Sequence, residues 1–108
     1  MDFKTYQEKA VATAVYGAGN KIIYPALGLA NEAGEVLGKI KKVLRDNDGE
    51  FDLENRMKIA DEIGDTLWYI AALCDDIDID MQFIAQRNID KLHDRQTRGV
   101  IQGSGDQR

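Results

Sequence analysis

The sequence has few of the residues that break or cross-link a protein chain. It contains one proline and one cysteine in 108 residues, so an intrachain disulfide is impossible and long helices meet few interruptions. The single thiol, Cys74, lies on the apolar side of a predicted helix, which predicts a buried and reduced core residue. We therefore expect an intracellular protein with long helices.

Long apolar runs and an excess of positive charge are also absent. No stretch approaches the ~18 apolar residues of a membrane span, and the first residues lack the apolar centre of a signal peptide. The net charge is −5, whereas duplex nucleic acid and anionic membranes require a basic surface. These absences predict a soluble, cytoplasmic protein that binds neither partner, while a phosphorylated small molecule would need only local positive charge.

Histidine occurs once, at position 93. The Glu-x-x-His pairs that hold two iron ions in helical bundles are therefore missing, which argues against dioxygen chemistry. We interpret His93 as a surface residue.

Apolar residues recur at helical spacing along the chain, and no segment alternates as a strand does. The fold class is therefore predicted to be all-α, with four helices at about residues 2–16, 25–44, 53–74 and 81–97. Asp52 is the expected N-cap of the third helix, and either Asp78 or Asp80 that of the fourth.

The length of the chain suits one domain with a small core that oligomerisation would extend. We assign residues 1–98 to this domain. Residues 99–108 hold three glycines and little periodicity, and we interpret them as a C-terminal tail.

Four carboxylates form two matching pairs, Glu32 with Glu35 and Glu62 with Asp65. Residues three apart lie on one face of a helix, so each pair presents two acids together beside the apolar stripe. In an antiparallel hairpin, both pairs lie roughly 15 Å from a turn near residues 46–52 and meet at one level. Like charges there would repel, and a divalent cation would remove the conflict. Oxygen-only ligands favour Mg²⁺ or Mn²⁺, although any single pair could lie on a solvated helix face.

Gly34 and Gly64 lie inside the two acid pairs. A glycine in the middle of a helix costs roughly 1 kcal/mol relative to alanine, so it needs a packing or functional reason. We predict that the helices approach each other closely at these positions.

Polar and positively charged residues on the fourth helix fall on one side: Asn88, Lys91, Arg95 and Arg98. If the bundle places this stripe beside the acids, it would oppose bound metal as a polyphosphate requires; a solvated basic face is the alternative. Lys39 and Lys42 are further phosphate candidates. Trp68 and Tyr69 follow the second acid pair and are either core or interface aromatics or residues that flank a nucleobase.

The pattern Glu-x-x-Glu, a spacer of 26 residues and Glu-x-x-Asp resembles the MazG-like nucleotide pyrophosphohydrolases. The late residues Asn88, Lys91 and Arg95, and the glycine-rich ending, are similar to positions in that family. The resemblance implies a four-helix bundle-like MazG fold that is completed as a homodimer or homotetramer. In one departure, Asn31 stands where many relatives carry a further acid, which leaves one or two metal ions open.

The resemblance also implies a reaction and a site. The reaction is Mg²⁺-dependent hydrolysis of a nucleoside triphosphate to monophosphate and pyrophosphate. The metal ligands would be Glu32, Glu35, Glu62 and Asp65, with Glu35 and Glu62 as catalytic residues. The phosphate-binding residues would be Asn88, Lys91, Arg95 and Lys39.

Two kinds of alternative remain open. One is a related enzyme with a different pocket, specific for dUTP, dCTP or phosphoribosyl-ATP. The other is a non-enzymatic helical adaptor or oligomerisation module, in which the acids bind a metal ion only to hold chains together.

Overall fold

The computed structural model describes residues 1–108, and all of its regular structure is helical. It contains one 3₁₀ turn, Ala18–Asn20, and four α-helices: α1 (Phe3–Val11), α2 (Ile23–Asp46), α3 (Leu53–Asp76) and α4 (Met81–Thr97). The all-α prediction is confirmed, and the last three helices agree with the predicted ones within a few residues.

Helices α2 and α3 form a long hairpin, the main packing unit of the chain. The turn between them uses Asp48 and Gly49 at positive φ, a conformation that glycine and aspartate tolerate better than most residues. Asp52 then caps α3 as predicted, because its carboxylate accepts the backbone N–H of Asn55 at 2.9 Å. The hairpin therefore reverses where the sequence indicated.

Helix α1 is shorter than predicted, since it ends at Val11 and not near residue 16. The carbonyl of Ala10 accepts the hydroxyl of Thr13 at 2.7 Å and the indole N–H of Trp68 at 3.2 Å. The backbone N–H of Thr13 donates to the same carbonyl at 3.0 Å, so the two side chains reinforce a backbone bond that closes the last turn of the helix. The indole comes from α3, so the sequence of α1 alone could not indicate this contact at its end.

The start of α4 is also organised by a contact from another helix. Asp80 occupies the N-cap position, but its side chain makes no capping hydrogen bond. The backbone N–H of Met81 instead donates to the side-chain oxygen of Gln7 in α1, at 2.8 Å. The amide of Gln7 also donates to the carbonyl of Ile79 at 3.3 Å. The buried side chain of Gln7 therefore accepts the N-terminal N–H of α4 that an aspartate cap was predicted to bind.

The buried core is small and lies where α1, α3 and the start of α4 meet. Its cluster consists of Ala10, Ala71, Cys74 and Met81. Cys74 is buried and unpaired, and its burial raises the pKa of the thiol. The prediction of a core cysteine is confirmed, and His93 is exposed as expected.

The single chain is less compact than a globular domain of its length. Its radius of gyration is 16.9 Å, whereas a compact domain of this length has about 13 Å. Only 9 of 108 residues are buried, so much apolar surface remains exposed within one chain. No helix combines the length and the apolar character needed to cross a membrane.

The C-terminal residues fold back on the end of α4. Buried Arg95 donates to the carbonyl of Asp106 at 2.9 Å, and Arg98 bonds to the carbonyl of Arg108. The Arg108 side chain in turn donates to the carbonyls of Val100 and Gly105. The division between the predicted domain and the tail at residue 99 stays a prediction.

Candidate metal centre

Three of the four predicted metal ligands converge across the α2–α3 hairpin. Glu32 on α2 and Glu62 and Asp65 on α3 each offer a carboxylate oxygen, and these oxygens all lie within 4.8 Å of one another. The arrangement follows from helix geometry, because Glu62 and Asp65 are three residues apart on one face and the turn sets α2 beside α3. We call these three residues the acid group.

The electrostatics of the acid group are those of crowded like charges. Partial burial, and then the charges of Asp65 and Glu62 and a hydrogen bond with Glu62, raise the pKa of Glu32 above its ordinary value. Glu32 and Glu62 are half-buried, whereas Asp65 is exposed. A divalent cation would offset the repulsion, since hard divalent cations take oxygen ligands such as these carboxylates.

Glu35, the fourth predicted ligand, lies outside the acid group. Its side chain is exposed, and the three converging oxygens do not include one of its own. Its charge nevertheless contributes to the raised pKa of Glu32, as the smallest of the causes. Glu35 therefore lies near the acid group on its solvent side, and its role as a ligand or a catalytic residue stays a prediction.

Lys39 is the predicted phosphate-binding residue that forms an ion pair with the acid group. Its ammonium lies 3.7 Å from a carboxylate oxygen of Glu62. The side chains of Lys39 and Glu62 are 30% and 17% exposed, so the pair lies at the rim and remains accessible to a ligand. Positive charge is therefore present beside the candidate metal site within one chain.

The other predicted phosphate residues lie on α4, which packs against α1 and α3. Asn88 and Lys91 line a surface depression whose lining residues all belong to α4. Arg95 is buried and bonded to the tail, and Arg98 forms an ion pair with Asp94 at 2.9 Å. Unlike Lys39, none of these α4 side chains forms a salt bridge with the acid group.

The predicted close approach at Gly34 and Gly64 is wrong within the single chain. A Cβ atom at either position would meet nothing within 4 Å. The glycine that permits close packing is Gly28 on α2, where a Cβ would overlap the ring of Tyr69 on α3. Gly28 therefore allows Tyr69 to lie against the α2 backbone.

Four aromatic side chains form a cluster next to the acid group: Tyr16, Tyr24, Trp68 and Tyr69. Tyr16 stacks on Tyr24 with ring centroids 5.0 Å apart, and Trp68 meets Tyr69 edge-on at 5.0 Å. Burial raises the pKa of Tyr69, as do the hydroxyl of Tyr24 and the charges of Glu32 and Asp65. We call these four residues the aromatic cluster; together with Thr13, Val15 and Asn20 they line a surface pocket of about 280 Å³.

Sequence reasoning identified half of this cluster. Trp68 and Tyr69 were candidates because they follow Asp65. Asp65 and Tyr69 are four residues apart, so these two side chains lie on one face of α3. Tyr16 and Tyr24 were missed. They flank the 3₁₀ turn between α1 and α2, and no local pattern indicates that this connection returns to α3.

The fold and the acid group define an all-helical protein with a carboxylate site suited to a divalent cation. The family model of the MazG nucleotide pyrophosphohydrolase domain matches residues 25–100, a range that includes the acid group and all of α4. The chain therefore belongs to the MazG nucleotide pyrophosphohydrolase family.

A curated relative agrees in length. The chain is 46% identical over 114 aligned positions to the "Gene 37 protein" of Mycobacterium phage L5, with all of both chains covered. No solved structure matches.

Proposed function

We propose that this protein hydrolyses a nucleoside triphosphate to nucleoside monophosphate and pyrophosphate with the help of Mg²⁺, or Mn²⁺ in its place. The observation that carries the proposal is the convergence of Glu32, Glu62 and Asp65 within 4.8 Å across two helices. Membership of a nucleotide pyrophosphohydrolase family supports it. The net charge of −5 is consistent with a small-molecule substrate, and we place the reaction in the cytoplasm, where such nucleotides are abundant.

Glu32, Glu62 and Asp65 would hold the cation, with Glu35 as a further ligand or as the general base. When bound, the ion supplies positive charge that neutralises oxygens of the triphosphate. Glu35 is exposed and can accept the proton of the attacking water. The water oxygen bonds to the α phosphorus, and the bond from that phosphorus to the leaving pyrophosphate breaks. Glu62 would act in this step as a ligand of the ion and as the partner that holds Lys39 beside it.

Lys39, Asn88 and Lys91 would bind the phosphates and stabilise the charge of the leaving group. Arg95 would join them once its guanidinium exchanges the carbonyl of Asp106 for a phosphate oxygen. Lys39 already lies beside Glu62. Because the depression at Asn88 and Lys91 is formed by α4 alone, we propose that a homodimer or homotetramer completes the phosphate site. The exposed apolar surface of the single chain supports this assembly.

The base would lie against the aromatic cluster. Stacking between a base and an aromatic ring is worth ~1–3 kcal/mol. Tyr69 connects the aromatic cluster to the acid group. Its ring packs against Tyr24, and the charges of Glu32 and Asp65 contribute to its raised pKa. A pocket of this kind is where specificity for one base, as in a dUTP or dCTP hydrolase, would be determined.

The test is to incubate the protein with Mg²⁺ and each of the eight common nucleoside triphosphates, and with phosphoribosyl-ATP, while measuring monophosphate and pyrophosphate together. The same assay includes dUTP, because a dUTP-specific hydrolase is one of the alternatives. We expect equal amounts of both products, and none in the presence of EDTA. Self-association that depends on Mg²⁺, with no pyrophosphate from any nucleotide, would instead support the oligomerisation module.

Matched variants test the site. Asp65→Asn and Glu62→Gln should each lower turnover at least about a hundredfold, since the ion stabilises charge by several kcal/mol, while helical circular dichroism remains. Asp61→Asn is the control, because Asp61 is an exposed acid on the same helix outside the acid group. Turnover of Asp65→Asn equal to that of wild type would refute the assignment.

A further inference from the structure

The chain enters α2 through a strained turn at Ile22. This residue has φ 69° and ψ −56°, and the N–H of Ile23 donates to the carbonyl of Lys21 at 2.7 Å. These values describe a γ-turn of the rare, strained kind. A β-branched residue at positive φ is a genuine outlier, so its surroundings must hold it there.

Asp76, the last residue of α3, provides that hold. One of its carboxylate oxygens accepts the N–H of Ile22 at 2.8 Å and the hydroxyl of Tyr16 at 2.9 Å. A carboxylate at the C-terminus of a helix is disfavoured by the helix dipole, and the last turn of α3 has no basic residue. The two hydrogen bonds give Asp76 a structural reason to occupy this position.

The bond from Tyr16 persists over the physiological pH range. Burial, the hydrogen bond with Asp76 and the nearby negative charges raise the pKa of Tyr16 to about 12. The phenol therefore remains a donor to Asp76.

The two bonds fix one side of the aromatic cluster. Tyr16 stacks on Tyr24 at 5.0 Å and meets Trp68 edge-on at 6.5 Å. Tyr24 follows the strained turn by two residues, so the direction in which the chain enters α2 determines where its ring lies. Asp76 thus holds Tyr16 through its hydroxyl and Tyr24 through the backbone.

We propose that Asp76 is a positioning residue that preforms the aromatic cluster for a nucleobase by holding the γ-turn at Ile22. This rests on the proposed function, in which the cluster takes the base and the acid group takes the phosphates. In that arrangement Asp76 would contact neither the base nor the phosphates. Its removal should weaken the binding of nucleotides and leave the binding of a polyphosphate without a base unchanged.

The activity test compares Asp76→Ala with wild type on the eight common nucleoside triphosphates and dUTP, using inorganic tripolyphosphate as a competitive inhibitor. We expect KM for the preferred nucleotide to rise about tenfold, because stacking is lost, while kcat stays within about twofold and tripolyphosphate inhibits equally well. Asp75→Ala is the matched control, since it removes the neighbouring charge without these bonds and should leave KM unchanged.

A second variant tests whether strain links Asp76 to the cluster. Glycine adopts positive φ readily, and Ile22 is 45% exposed, so Ile22→Gly removes the strain and little packing. We expect Asp76→Ala/Ile22→Gly to reverse most of the rise in KM that Asp76→Ala causes. The near-ultraviolet circular dichroism of the single tryptophan, Trp68, should fall in Asp76→Ala and return in the double variant.

Several results would overturn the positioning role. They are an unchanged KM in Asp76→Ala, an equal loss of tripolyphosphate inhibition, a similar effect of Asp75→Ala, and no recovery with Ile22→Gly. If wild type releases no pyrophosphate from any nucleotide, the proposed function fails. The near-ultraviolet spectra then still decide whether Asp76 holds the cluster through the turn, because they require no turnover, and an unchanged spectrum in Asp76→Ala contradicts it.

Discussion

At the scale of single residues, the acid group costs stability. Glu32, Glu62 and Asp65 bring like charges within 4.8 Å, and the pKa of Glu32 is raised by partial burial and by its acidic neighbours. Folding thus works against the repulsion that a cation would relieve. Such conflicts are typical of functional sites, where stability is lower than an unconstrained sequence would allow.

Glu32→Gln should therefore raise the melting temperature of the metal-free protein by roughly 2 °C, because it removes one of the repelling charges. Mg²⁺ should raise the melting temperature of wild type and have little effect on this variant. Thermal unfolding followed by circular dichroism, with EDTA and with Mg²⁺, measures both effects. Asp61→Asn again serves as the control, and an equal response to Mg²⁺ in Glu32→Gln would contradict the metal site.

At the scale of elements, one glycine permits a close contact between α2 and α3. A Cβ atom at Gly28 would overlap the ring of Tyr69, whereas one at Gly38, further along the same helix, would meet nothing within 4 Å. The pair gives a matched comparison of the same substitution on one helix.

Gly28→Ala should lower the free energy of unfolding by ~1–3 kcal/mol, because Tyr69 must move out of its packed position. Gly38→Ala should raise it by ~0.5–1 kcal/mol, the ordinary gain of alanine over glycine within a helix. Urea unfolding of both variants measures the difference. Equal stability of the two would mean that Tyr69 does not pack against the α2 backbone.

At the scale of the whole molecule, the single chain leaves apolar side chains uncovered. Leu37 and Leu44 are 68% and 62% exposed, and their spacing of seven residues places them on one face of α2. Exposed apolar surface of this kind marks interaction sites. It supports the proposed self-association.

Leu37→Lys should shift the protein from an oligomer towards a monomer, because the interface would have to bury an unpaired charge. Sedimentation velocity over a range of concentrations measures the change. Leu27→Lys is the control, since Leu27 is 67% exposed but lies on another side of α2. A monomeric wild type, or an equal effect of both variants, would contradict an interface at Leu37.

Local patterns were sufficient for most of the fold. The apolar periodicity and the Asp-Gly turn predicted the α2–α3 hairpin, and Asp52 was recognised as the cap of α3. Local signals did not predict the helix ends at which another helix supplies the hydrogen-bond partner. The indole of Trp68 occupies the end of α1, and Gln7 caps α4 in place of an aspartate. A hydrogen-bond donor or acceptor from a distant segment leaves no mark in the sequence around the helix end that it satisfies.

The sequence by itself determined the helices and the hairpin, and it set the two acid pairs at similar distances from the turn, because helical spacing and the position of a turn are local properties. Only the tertiary structure decided which acids converge. It placed Glu35 outside the acid group, moved the close helix contact to Gly28, and brought Tyr16 and Ile22 to Asp76. Each of these depends on the rotation and separation of packed helices, which side-chain volumes across the interface set.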